Sequence, residues 1–186
     1  MNPPDHSKEL TEAEKRHRAL LEKWRSAMDL VGPGPIEPHF EDARKAVSWI
    51  ESTGSWLDLG SGAGFPGIAL AARHPAIHVH LVESRQKRAV FLRQVLLHAS
   101  LTNASVLHQR SEKLNRGVWN GVISRAYKSP DRALEEARNL LQISGIAVLL
   151  LAKLEDPSCI GMELFHVERY LVEGKERRAV GYKKTG

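Results

Sequence analysis

Asp58 and Glu83 stand on either side of a glycine run, at a spacing that can hold a nucleoside. The stretch Trp56-Leu57-Asp58-Leu59-Gly60-Ser61-Gly62-Ala63-Gly64-Phe65-Pro66-Gly67-Ile68 is an apolar run ending in an acid, then alternating glycines, then a helical pattern through Ala69–Ala72. That order predicts a buried strand, a tight turn and a crossover helix. Residues without Cβ let a main chain come close to a ligand. Roughly twenty residues downstream, where an acid bonds ribose hydroxyls, the apolar run Ile77–Val82 ends on Glu83. Two strand ends thus meet over one predicted cofactor site, to which Ser61 and Ser84 add hydroxyls.

A dinucleotide fingerprint, G-x-G-x-x-G, would carry glycine where this chain has Phe65. Glycines at 60, 62 and 64 after Asp58 instead resemble the S-adenosylmethionine methyltransferases. That resemblance implies an acid for the donor's ammonium, backbone N–H groups for its carboxylate and Glu83 for its ribose. Two readings stay open beside it: an NAD(P)-binding oxidoreductase, and a strand–helix turn that holds no ligand.

A sulfonium methyl donor needs a nucleophile in line and little else. Enzymes that methylate exocyclic amines carry an Asn/Asp-Pro-Pro-aromatic turn after the fourth strand, where this chain has Ser124-Arg125-Ala126-Tyr127. Pyrimidine C5 chemistry needs a nucleophilic cysteine, and Cys159 stands alone in a predicted loop. What remains is an acceptor that already has a lone pair, such as a ring nitrogen of guanine. Catalysis then rests on proximity and electrostatics. Arg125, closing the fourth strand, could grip a phosphate or stack on a base. Lys153 holds a similar place after the fifth strand. His39 and Asp42 share one face at the start of a helix, where an acid is favoured for helix reasons alone. His74, His78 and His80 lack an acid at ligand spacing, so they read as edge-strand surface histidines and no metal is expected.

The 186 residues fit one domain, and 42% hydrophobic with 26% charged residues is ordinary globular composition. A net charge of +5 and a pI near 9.5 favour an anionic partner. The excess charge gathers at Arg85, Lys87, Arg88 and Arg93, and again at Lys175, Arg177, Arg178, Lys183 and Lys184. Cys159 is the only cysteine, which excludes an internal disulfide and a cysteine zinc site. With neither a signal-like N-terminus nor a run of ~18 apolar residues, a soluble cytoplasmic protein is expected.

Two amphipathic helices are expected first, Ser7 to about Leu30 and Pro38 to Gly54, with a Gly/Pro connector between them. They form a cap over residues 1–54, and residues 55–186 form one compact unit. Its strands are expected at 56–59, 77–82, 105–108, 121–124 and 145–151, its helices at 86–99 and 130–140, and a hairpin (164–172 with 179–182) closes it. Alternation of this kind gives a mostly parallel sheet with helices on both faces and ligands at the strands' carboxyl ends.

Four stretches, in order, carry a more specific likeness: the glycine loop with its Phe65-Pro66-Gly67 tail; Glu83-Ser84-Arg85-Gln86-Lys87-Arg88 leading to Phe91-Leu92; Arg110-Ser111-Glu112; and Val122-Ile123-Ser124-Arg125-Ala126. Together they resemble the RsmG (GidB) family of bacterial 16S rRNA methyltransferases. The resemblance implies a Rossmann-like methyltransferase fold with a closing antiparallel strand, and methyl transfer from S-adenosylmethionine to N7 of a 16S rRNA guanosine. By position it assigns Gly60, Phe65, Ser111, Glu112 and Arg125 to the cofactor pocket. His39 and Asp42 match the family's His-x-x-Asp, and Arg177 matches its basic residue before the last strand. The chain departs from the family at Asp29-Leu30-Val31, Pro38 and Lys153-Leu154, all on the substrate side.

The combined expectation is a monomeric enzyme acting on the small ribosomal subunit. Asp58, Gly60, Ser61, Gly62, Gly64, Phe65, Glu83, Ser84, Ser111, Glu112 and Arg125 contact the cofactor. Arg125, His39 and Asp42 serve catalysis, and Arg85, Lys87, Arg88, Lys153 and Arg177 meet RNA. A non-catalytic rRNA-binding protein that keeps the fold is the rival reading.

Overall fold

Thr11 starts the first helix. In the computed structural model, which describes residues 9–152 and 156–186, its hydroxyl accepts the Glu14 N–H while the Glu14 carboxylate accepts the Thr11 N–H. This reciprocal cap sets the start of α1 (Glu12–Met28), later than Ser7. The same Glu14 carboxylate, almost fully buried, pairs with Arg73 at 2.7 Å. Arg73 ends α3 (Gly67–Arg73), so the pair ties the cap to the first crossover helix. Between them, α2 (Glu37–Val47) carries Pro38 in its first turn, where a missing N–H costs nothing. It stops short of Gly54, which instead begins a strand.

The strands are β1 (Gly54–Leu59), β2 (Ile77–Val82), β3 (Ala104–Leu107), β4 (Trp119–Arg125), β5 (Leu141–Leu151), β6 (Met162–Val172) and β7 (Lys175–Lys184). They form one sheet in the order β3-β2-β1-β4-β5-β7-β6, parallel from β3 to β5. β7 lies antiparallel between β5 and β6. Helix α4 (Gln86–His98) joins β2 to β3, and α5 (Pro130–Leu140) joins β4 to β5. Helices α1 to α4 cover one face, through Leu21, Phe40, Ile68, Phe91 and the inward residues Trp56 and Val79. Helix α5 covers the other, with Leu134 and Ala137 against Leu57, Val122 and Leu149. The fold is a Rossmann-like methyltransferase fold.

Leu59 pairs with both Val82 and Ser124, so the carboxyl ends of β2, β1 and β4 lie side by side. Crossovers leave β1 and β4 on opposite faces, which opens a crevice between them. β5 begins four residues earlier than expected, directly from α5, and a bulge near Ser144 (φ 64°) absorbs the shift before the Gly121–Ile146 pairing. β6 and β7 are longer than their apolar centres because the flanking lysines, arginines and glutamates still pair through their backbones. β2 is an interior strand, which corrects the edge-strand reading of His78 and His80. His80 is partly buried, bonds Ser105 Oγ at 2.8 Å and meets the Trp119 ring edge-on.

Candidate functional site

The glycine loop is fastened to β2 and to its own strand. Gly60 and Ser61 donate their N–H groups to the Val82 carbonyl at 3.0 and 3.1 Å, and Gly62 donates to Glu83 Oε2 at 3.0 Å. Glu83 Oε1 accepts the Arg85 N–H at 2.7 Å. Gly64 donates to Ser61 O, and the Ser61 hydroxyl donates to Asp58 O. The loop's N–H groups at 60, 61, 62 and 64 are therefore engaged within the protein, contrary to the expectation that they would receive a ligand carboxylate. The loop's contribution is close approach. Glu83 is buried, and each of its oxygens keeps lone-pair capacity for a ribose hydroxyl.

Asp58 is fully buried beneath the loop. Its Oδ2 accepts the Gly67 N–H at 3.2 Å, at the start of α3. A Cβ on Gly67 would lie 2.5 Å from that oxygen, so only glycine permits the approach. Asp58 Oδ1 has no hydrogen-bond partner. Burial pushes the Asp58 pKa up to about 7. An orphaned buried acceptor beside a bare-backbone loop, with a second acid at the next strand end, fits a ligand carrying both an ammonium and a ribose.

His17 of α1 was not read from the sequence as a site residue. It is 1% exposed, bonds the Ala63 carbonyl through Nε2 at 2.7 Å and packs against Phe40, Phe65 and Phe91. Nε2 facing a carbonyl must carry the proton, and burial holds the ring neutral with a pKa lowered to about 4. Helix α1 thereby grips the glycine loop.

Phe65 is buried, edge-on to Phe40 at 4.8 Å, and the Arg125 guanidinium lies 5.0 Å above its ring. Arg125 Nη1 donates to Asp42 Oδ2 at 3.2 Å and reaches His39 Nδ1 at 3.4 Å. Tyr170 of β6 donates to Asp42 Oδ1 at 2.9 Å. Burial, then Arg125, lowers the His39 pKa and keeps that ring an acceptor. These residues, from α2, β4 and β6, converge beside a crevice of about 340 Å³ lined by Asp42, Ser124, Arg125, Tyr127, Leu149 and Arg177.

A smaller crevice of about 180 Å³, between Gly60, Glu83, Ser84, Gln109, Ser111 and Glu112, lies over the tips of β1 to β3. Ser111 is buried there and shares a hydrogen bond with Tyr127, whereas Glu112 faces outward toward Lys128. Arg85 and Lys87 are exposed at the start of α4, but Arg88 bonds the Asp29 carbonyl at 2.8 Å. Lys153 lies outside the described residues. Cys159 is a free cysteine against the α5-side core. Among the described residues, no group of three or more His, Cys, Asp or Glu is placed to hold a metal ion.

The model of rRNA small subunit methyltransferase G (GidB) matches residues 11–158. The chain belongs to that family. The Ribosomal RNA small subunit methyltransferase G of Pseudomonas fluorescens is 39% identical over 127 residues, covering 66% of this chain and 59% of that protein. Its counterpart in Paracoccus denitrificans is 33% identical over 145 residues, covering 75% of each. The chain thus spans about three-fifths of the length of the Pseudomonas relative. Among solved structures, a SAM-dependent methyltransferase from Aquifex aeolicus superposes with a TM-score of 0.61 at 15% identity, over 95% of this chain and 100% of that one. TYW2 of M. jannaschii, solved in complex with AdoMet, gives 0.61 at 17% identity, over 80% and 75%. These two share the fold. The rRNA small subunit methyltransferase G match covers α1 to β5, including the glycine loop, Glu83, Ser111, His39, Asp42 and Arg125, but not Tyr170 or Arg177.

Proposed function

We propose that this chain transfers a methyl group from S-adenosylmethionine to N7 of a guanosine in 16S rRNA of the small ribosomal subunit. The observation that carries the reading is the unpartnered, buried Oδ1 of Asp58 beside the glycine loop and Glu83, next to a crevice bordered by Arg125. Membership of the family and the AdoMet complex of the M. jannaschii neighbour support it.

S-Adenosylmethionine, when bound, supplies an electrophilic methyl group that a ring nitrogen's lone pair can take without first losing a proton. Asp58 would hold its ammonium and Glu83 its ribose, with Ser61, Ser84, Ser111 and Glu112 around the nucleoside. Among the described residues, the acceptor crevice offers no free base: both Asp42 oxygens are engaged, and His39 accepts from Arg125. That suits an acceptor needing no deprotonation. Asp42 neutralises Arg125, so positive charge growing on the guanine meets an ion pair and not a bare cation. A crevice of about 340 Å³ admits a single base, which the RNA must present splayed from its stack. Arg85, Lys87, Arg88, Lys153 and Arg177 would meet its phosphates.

In this reading residues 1–54 are the substrate-facing cap of residues 55–186, and the enzyme works as a cytoplasmic monomer. No described helix is long and apolar enough to cross a membrane. The test is transfer of tritiated methyl from S-adenosylmethionine to 30S particles, followed by borohydride and aniline scission, which cuts RNA at 7-methylguanosine. A single scission site in the 16S strand is expected. Tight rRNA binding with no labelled methyl would favour a non-catalytic role.

A further inference from the structure

The two crevices are separated by one side chain. Among the described residues, Tyr127 alone lines both the 180 Å³ space over Gly60 and Glu83 and the 340 Å³ space beside Arg125. It gets there through Ala126, a non-glycine residue held at φ 52°, which turns the chain back over the sheet tips. The ring then lies against Gly60: a Cβ built there would stand 2.6 Å from Tyr127 Cδ2, and Gly60 itself sits at φ 70°. The phenol oxygen is 2.5 Å from Ser111 Oγ and donates to Glu136 Oε1 at 3.4 Å. Lys128 lies 4.9 Å from the ring centre and pairs with Glu136 at 2.6 Å. The barrier is thus latched at its far end.

Sites for small ligands and cofactors run from about 300 Å³ upward, so the space of about 180 Å³ over Glu83 is too small for the donor by itself. Opened into its neighbour, it is large enough. We propose that Tyr127 is a gate residue: its phenol leaves Ser111 and Gly60 to merge the two crevices, and only then is there room for the whole donor, with its nucleoside on Glu83 and its sulfonium facing the acceptor beside Arg125. This rests on the cofactor reading above.

The experiment compares adenosine and S-adenosylhomocysteine binding to the full chain and to Tyr127→Phe and Tyr127→Ala, by stopped-flow and calorimetry. A ligand that needs a minor open state binds more weakly by the open fraction. Losing the phenol's two hydrogen bonds should therefore speed S-adenosylhomocysteine association about tenfold in Tyr127→Phe, and further in Tyr127→Ala. Adenosine, which needs less of the merged space, should gain less from either substitution. A purely structural tyrosine would lower the melting temperature and leave the ratio of the two association rates unchanged, which overturns the gate. If the unmodified chain binds neither ligand, the cofactor reading fails and the gate with it.

Discussion

Tyr170 and Asp42, residues 128 apart in the chain, meet at 2.9 Å, and the carboxylate so held is the one that bonds Arg125. Burial, then the Asp42 charge, raises the Tyr170 pKa, so the phenol is a standing donor at neutral pH. Removing it leaves one oxygen of a mostly buried carboxylate unsatisfied. Tyr170→Phe should lower kcat/KM for rRNA methylation about tenfold. Arg125→Ala should cost about a hundredfold or more, and it should also lower the melting temperature, because it leaves the mostly buried Asp42 without its ion-pair partner. Equal activity in Arg125→Ala would remove that residue from the mechanism.

Low pH should loosen the cap through His17. Its folded pKa, about 4, lies below its unfolded value of 6.5. The contribution is therefore fully present above pH 6.5 and is lost as the pH falls toward 4, amounting to about 2–3 kcal/mol by pH 4.5. Urea unfolding of His17→Phe, compared with the unmodified chain, should show a shallower loss across that window. Parallel curves would mean that His17 is protonated without cost.

Asp58 has the opposite sign. Its folded pKa, about 7, is above the ordinary 3.8, so its buried charge weakens the fold as pH rises through 4 to 7. A ligand ammonium favours the ionised form and displaces the proton. Affinity for S-adenosylhomocysteine should climb with pH up to about 7, by at most about tenfold per pH unit, and then level off. Asp58→Asn keeps an acceptor for Gly67 and should flatten the profile. A profile in the unmodified chain as flat as the variant's would place the ammonium elsewhere.

Arg85 and Lys87 are exposed beside the cofactor crevice. Replacing either by Gln should reduce the dependence of rRNA affinity on log salt by about one. Unaltered slopes would move the phosphate path to another face.

The glycine loop, Glu83 and the alternation of strands and helices were legible because each is a local pattern of apolar runs and turn residues. His17, Tyr127 and Tyr170 were not. His17 sits between Arg16 and Arg18 and reads as part of a charged helix face until α1 docks on the Ala63 carbonyl. Tyr170 belongs to an alternating edge strand whose facing depends on a register shift between Leu164 and His166. His78 and His80 share a strand face as expected, but their edge placement was misread because spacing does not reveal that β2 is paired on both sides.

In the proposed reaction one donor lies across the tips of β1 and β2, with its ribose on Glu83. Calorimetric titration of S-adenosylhomocysteine and of NADH into the unmodified chain and Glu83→Ala tests this most directly. One equivalent of S-adenosylhomocysteine should bind, NADH should not, and Glu83→Ala should weaken the binding at least about tenfold. Binding of NADH alone, or S-adenosylhomocysteine affinity untouched by Glu83→Ala, would contradict it.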